Sequence, residues 1–158
     1  VLEREFAFHP LALEDARKQN QRPKVDVYEG HLFLSVRACA PRPGDDPVEI
    51  DVFLGPEYLV TIHHHDTAPI TETRRRLETH PEHLRNEPGF LLYLLLDAVV
   101  DEYFPAMDAL DEEIDAIEEA VTRDDTPDLQ PAVAVKKRLL LLRQAVGPLR
   151  NVVNHLLR

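Results

Sequence analysis

Hydrophobic and polar positions divide the chain into two halves with different periods. Up to about residue 88 the pattern is short and mixed. His9-Pro10 opens a helical stretch through Lys18, because proline's fixed φ suits the first helical position. Pro23 returns the chain to an extended conformation. Residues 24–29 then alternate with Val25 and Val27 on one face, and residues 31–37 alternate with Leu32, Leu34 and Val36 on one face. Gly30 lies between the two runs, which predicts a β-hairpin. Pro41-Arg42-Pro43-Gly44-Asp45-Asp46-Pro47 reads as a loop. Two further strands are expected at 48–54 and 58–63 around Gly55-Pro56, then a helix over 69–79 and a linker over 80–88.

From Phe90 the period changes. Tyr93, Leu96, Val100, Tyr103, Met107, Leu110, Ile114, Ile117 and Val121 recur at alternating spacings of three and four, the heptad seam of a long helix. Pro105 lies inside that seam and predicts a kink. Residues 122–130 hold a turn, with Thr126 as N-cap and Pro127 at the first helical position. The seam resumes at Ala132, Val135, Leu139, Leu142, Val146, Leu149, Val153 and Leu156, with a bend expected at Gly147-Pro148. Two long seams joined by a short polar turn make an antiparallel helical hairpin. The organisation expected is thus a mixed α/β part over 1–88 and the hairpin over 89–158, packed on the same domain.

Charge sharpens this picture. Lys plus Arg number 18 against 29 Asp plus Glu, a formal net charge of −11, so the surface suits cations and basic partners and repels nucleic acid. The acid is concentrated on one arm. Residues 97–128 carry thirteen acids and one base, whereas 129–158 carry six bases and no acid. Lys136, Lys137 and Arg138 are expected to face the acidic arm. Like-charge i,i+4 pairs such as Asp97/Asp101 and Asp111/Asp115 still repel one another, which leaves either a solvated face or one that gathers hydrated divalent cations. No stretch approaches the ~20 apolar residues of a membrane-crossing helix. The single Cys39 reads as a small buried hydrophobe.

Two acidic clusters could hold Mg²⁺ through water: Asp45, Asp46, Glu49 and Asp51 on the loop and strand start, and Asp101-Glu102 on the long helix. His63-His64-His65-Asp66 invites zinc, but consecutive strand residues point to opposite faces and cannot all reach one ion. His80 and His83 add an H-x-x-H spacing that a helical turn brings together. Neither a second cysteine nor H-E-x-x-H accompanies them, so exposed polar residues at a strand end are the plainer reading. A metal-dependent hydrolase would need His64 or His65 and Asp66 to converge in a cleft, and no G-x-S-x-G or phosphate loop supports it.

The particular strings go further. Phe8-His9-Pro10-Leu11-Ala12-Leu13-Glu14-Asp15, then Gln21-Arg22-Pro23-Lys24-Val25 and Tyr28, resemble the cytosolic segment of CorA-type magnesium channels. Leu96-Asp97-Ala98 with Val100-Asp101-Glu102-Tyr103-Phe104-Pro105 is similar to the opening of their long cytosolic helix, and Pro148-Leu149-Arg150 to a string in the following arm. The resemblance implies an α+β fold, an α/β/α sandwich with a mixed sheet, carrying the long helical hairpin. It implies a non-enzymatic, weakly Mg²⁺-binding regulatory portion of a homopentameric channel for Mg²⁺, and for Co²⁺ or Ni²⁺, on the cytoplasmic side of the membrane. Ions shared between copies would hold the pore shut by bringing acids together. Asp45, Asp46, Glu49, Asp101 and Glu102 fall near the family's sensing positions. The chain reads as a fragment that stops before the stalk and membrane helices. Two rival readings stay open: the cytosolic domain of a related zinc transporter, and a helical scaffold that docks a partner protein.

Overall fold

The computed structural model of the chain describes residues 5–18, 21–40, 45–85, 87–123 and 128–157. Helix α1 (Pro10–Lys18) precedes four strands, β1 (Lys24–Tyr28), β2 (His31–Ala38), β3 (Val48–Leu54) and β4 (Leu59–Ile62). Helix α2 (Ala68–Thr79) and a 3₁₀ turn (Pro81–Arg85) lead to α3 (Pro88–Asp101), α4 (Tyr103–Arg123) and α5 (Gln130–Leu156).

The strands form one sheet in the order β1-β2-β3-β4. Gly30, at φ +84°, makes the tight β1–β2 turn that a side chain would resist, and sets the register Val25↔Leu34 and Val27↔Leu32. The α+β class and the layered sandwich stand, with one correction. The resemblance implied a mixed sheet, whereas the four described strands pair antiparallel throughout. Consecutive strands lie too close in sequence for a parallel pair, which would need a crossover of a dozen residues or more.

Both faces of the sheet are covered, which is why β2 and β3 are almost wholly buried. On one face Leu34, Val36, Ala38, Ile50 and Val52 pack against Leu92, Leu95 and Val99 of α3 and Ala145, Leu149 and Val152 of α5. On the other, Phe33 and Phe53 pack against Phe8 and against Ala12, Leu13 and Ala16 of α1. Phe8 and Phe53 stack with ring centroids 4.1 Å apart. The sheet thus lies between α1 and the long helices.

The long helices depart from their heptads in detail. The kink expected at Pro105 falls at Glu102, between α3 and α4. Proline lacks the N–H for the Asp101 carbonyl and its ring crowds that carbonyl, so the regular helical hydrogen bonding lapses at Glu102 while its dihedrals stay helical (φ −67°, ψ −24°). The buried stripe then drifts off the expected one. Leu96, Tyr103 and Leu110 are buried, but Tyr93, Val100, Met107 and Val121 are exposed, and Leu92, Leu95 and Val99 face the sheet instead. On α5 the stripe runs through Val135, Ala145, Leu149 and Val152, leaving Leu139 and Val146 outside. A straight helix has 3.6 residues per turn, so a strict seven-residue repeat rotates away from a flat sheet. α5 continues through Gly147-Pro148. The expected cap, Thr126-Pro127, lies outside the described residues. α5 begins at Gln130, whose N–H donates to Asp128 Oδ1 at 2.9 Å. Of the three bases expected to face the acidic arm, Arg138 pairs with Glu113, while Lys136 and Lys137 are solvent-exposed.

Candidate functional site

The acids singled out in the sequence surround the start of β3 and the α3–α4 break, and they do so in different chemical states. Asp45 and Asp46 are exposed just before β3; residues 41–44 of the expected loop lie outside the described residues. Asp45 lines an apolar cavity of about 190 Å³ with Cys39, Tyr103, Leu110, Arg138 and Leu142. Asp46 lines a neighbouring groove of about 500 Å³, together with Arg37, Glu49, His64, His65 and Gln144. That groove joins two motifs that are far apart in sequence, the acidic loop and the histidine string.

Glu49 is only 8% exposed. β3 points it to the α1 face, where its Oε2 accepts the Gln21 backbone N–H at 2.7 Å. Burial raises its carboxyl above the usual range, opposed by that N–H and by Arg37. Arg37, opposite Glu49 in the ladder, donates through Nε to the Gln21 carbonyl at 3.1 Å. Glu49 and Arg37 therefore hold the segment entering β1 against the sheet. Asp51, two residues on, is fully buried. Neither of its carboxylate oxygens has a hydrogen-bond partner among the described residues. Burial pushes it up to about 7, against a smaller downward pull from the facing Ser35 hydroxyl, which approaches without meeting hydrogen-bond geometry.

On the helix, Glu102 occupies the break itself. Its Oε2 accepts the Cys39 N–H at 3.2 Å and its carbonyl accepts the Cys39 thiol at 3.5 Å, which ties the end of β2 to the α3–α4 corner. Burial raises the Glu102 carboxyl and pushes the Cys39 thiol up to about 12, so the cysteine stays a neutral thiol, though half-buried rather than the fully buried hydrophobe expected. Tyr103 donates its hydroxyl to the Arg37 carbonyl and reinforces the same corner. Asp101 remains exposed but is paired. Arg76 of α2 reaches it at 3.3 Å, Asp97 at 2.6 Å and Glu72 at 2.8 Å. Arg75 and Arg76 together hold the Glu72 carboxyl down to about 2. Sequence reading missed Arg76 as the counterion of Asp97 and Asp101. The Arg74-Arg75-Arg76 run was the only signal, and which of the three faces α3 depends on how α2 packs.

Of the five acids, then, Asp45 and Asp46 are exposed with no ion pair among the described residues, Asp101 shares Arg76, and Glu49 and Glu102 each give one oxygen to a backbone N–H. Among the described residues no group of three or more His, Cys, Asp or Glu converges to hold a metal. The donor chemistry suits a hard, hydrated cation held through water, rather than a closed cage built within one copy.

Comparison with known proteins extends this geometry. The family model for the CorA-like Mg²⁺ transporter protein matches residues 1–158. The putative metal ion transporter YfjQ of Bacillus subtilis (strain 168) is 35% identical over 153 residues, 96% of this chain and 48% of the relative. The cobalt/magnesium transport protein CorA of Thermotoga maritima is 30% identical over 158 residues, 97% of this chain and 45% of the relative. The chain spans about half the length of these curated relatives. The soluble domain of CorA from Methanocaldococcus jannaschii shares the fold with a TM-score of 0.80 at 18% identity, over 99% of this chain and 64% of that one. No helix among the described residues is long and apolar enough to cross a membrane. With a match that runs over its whole length, the chain belongs to the CorA-like Mg²⁺ transporter family.

Proposed function

We propose that this chain is the cytoplasmic, Mg²⁺-sensing portion of a divalent metal ion channel that carries Mg²⁺ and also Co²⁺. The observation that carries this reading is the whole-length family match, and the distribution of acid supports it. Transport rather than catalysis is the family's activity, and nothing in the polar groups around β3 calls for a reaction.

In this reading Asp45, Asp46 and Asp101 are the first carboxylates an ion would use. Asp45 and Asp46 need release nothing. Asp101 gives up one contact with Arg76, which keeps Asp97 and Glu72. Glu49 and Glu102 hold their backbone partners and position the acids beside them. Because no three carboxylates converge in one copy, a second copy in a homopentamer completes the coordination, together with water. An ion bound across that boundary favours the packed state by its differential affinity, and its loss leaves like charges facing one another.

The test is thermal unfolding of the full chain against Mg²⁺, with ionic strength matched by a monovalent salt and with Zn²⁺ in parallel. One-site binding at a hundred times Kd stabilises by about 2.7 kcal/mol. The reading expects a Mg²⁺-selective rise in Tm that Asp45→Asn/Asp46→Asn diminishes. A rise that ionic strength reproduces, or that the double variant leaves intact, refutes the assignment of these acids.

A further inference from the structure

We propose that His80 and His83 form a two-histidine site for a borderline divalent ion such as Ni²⁺ or Zn²⁺, separate from the acids around β3. The site follows from backbone geometry. α2 ends as the His80 N–H donates to the Arg76 carbonyl at 2.9 Å, and the His83 N–H donates to the His80 carbonyl at 3.0 Å. The chain continues as a 3₁₀ turn, Pro81–Arg85. His80 lies just before that turn at φ −128°, ψ 72°, and the hydrogen bond from the His83 N–H to its carbonyl folds the chain so that the two imidazoles stand side by side, with centroids 5.3 Å apart.

That spacing fits shared coordination. A ring nitrogen ~2.1 Å from an ion places the ring centre roughly 3.2 Å from it, and two rings at a tetrahedral angle then lie about 5.2 Å apart. The surroundings supply the other parts of a ligand pair. Glu82 Oε1 lies 3.1 Å from His80 Nδ1, the carboxylate–imidazole contact that orients a metal-binding histidine. Phe90 of α3 meets the His83 ring edge to face at 5.1 Å and fixes its position.

A purely structural role accounts for this pair less well. His83 is half-buried and its Nδ1 has no hydrogen-bond partner among the described residues. His80 is exposed and supports no core. Two imidazoles with water in the remaining positions suit Ni²⁺ and Zn²⁺ and are poor donors for Mg²⁺. The negative chain as a whole attracts the cation.

Isothermal titration of the full chain with Ni²⁺, repeated with Zn²⁺ and in excess Mg²⁺, tests the site. One equivalent is expected that Mg²⁺ does not displace. It should disappear in His80→Ala and in His83→Ala and persist when His63, His64 and His65 are all changed to alanine. Glu82→Gln should keep the stoichiometry and weaken binding roughly 10–100-fold. Circular dichroism establishes that each variant is folded; His80→Ala, at an exposed position, preserves the test should His83→Ala disturb the Phe90 contact. An equivalent that survives both single changes, or vanishes with the 63–65 histidines, overturns the proposal. Mg²⁺ stabilisation through Asp45 and Asp46 is read in a separate titration, so either result can fail alone.

Discussion

Asp51 is the residue whose burial should be felt most in stability. It sits on the α1 face of β3, fully buried, with neither oxygen hydrogen-bonded among the described residues. Ser35 faces it across the ladder from β2, with Lys24 of β1 beyond and Ile62 of β4 on the other side. Glu49 on its own strand and Asp15 of α1 add negative potential, and Lys24 offsets part of it. The carboxyl therefore rises from 3.8 to about 7. A group that holds its proton more tightly when folded adds stability at low pH and loses it as pH climbs. Below 3.8 both states are protonated; between about 4 and 7 only the folded state is. Stability should fall by about 1.4 kcal/mol per pH unit across that window, some 4 kcal/mol in total, and then level off.

Asp51→Asn removes the titration while keeping the shape. Chemical denaturation of both proteins at intervals from pH 4 to pH 8 gives the difference curve, in which titrations common to both cancel. The variant should gain on the parent steadily up to pH 7, ending up to about 4 kcal/mol ahead of its position at pH 4. The buried amide also lacks partners, so the absolute offset at pH 4 is set by its desolvation. The slope is what carries the argument. Parallel curves between pH 4 and pH 7 would show that Asp51 finds a partner or water in solution, and the reasoning would be wrong.

Two further changes probe the supports of the site. Arg76→Met removes the cation shared by Glu72, Asp97 and Asp101; it should cost on the order of 1–3 kcal/mol in denaturant melts and, by freeing Asp101, enlarge the Mg²⁺-dependent rise in Tm, whereas an unchanged Mg²⁺ response would exclude Asp101 as a ligand. Gly55→Ala places a methyl inside the Tyr58 ring, which packs on Phe6 and Phe8; overpacking of this kind typically costs about 1–3 kcal/mol, and a Tm equal to the parent's would mean that the ring moves aside freely.

Local pattern alone determined much of this protein. The β1–β2 hairpin, the β3 and β4 strands, the helix before them and the two long helices all follow from alternation, from 3.6-residue periodicity and from Gly and Pro placement, because each depends on neighbours within a few residues. The loop acids could be named for the same reason. What the sequence left open depends on partners far along the chain. Whether a carboxylate is free was decided by Gln21 reaching Glu49, Cys39 reaching Glu102 and Arg76 reaching Asp101, contacts that span 28, 63 and 25 residues. The stripe that each long helix buries was likewise chosen by the sheet beneath it and by the break that Pro105 sets at Glu102. Asp51 shows the difference most plainly: in sequence it is one more acid in an acidic loop and strand, and only the packing of α1 over β3 turns it into a buried group that favours its proton.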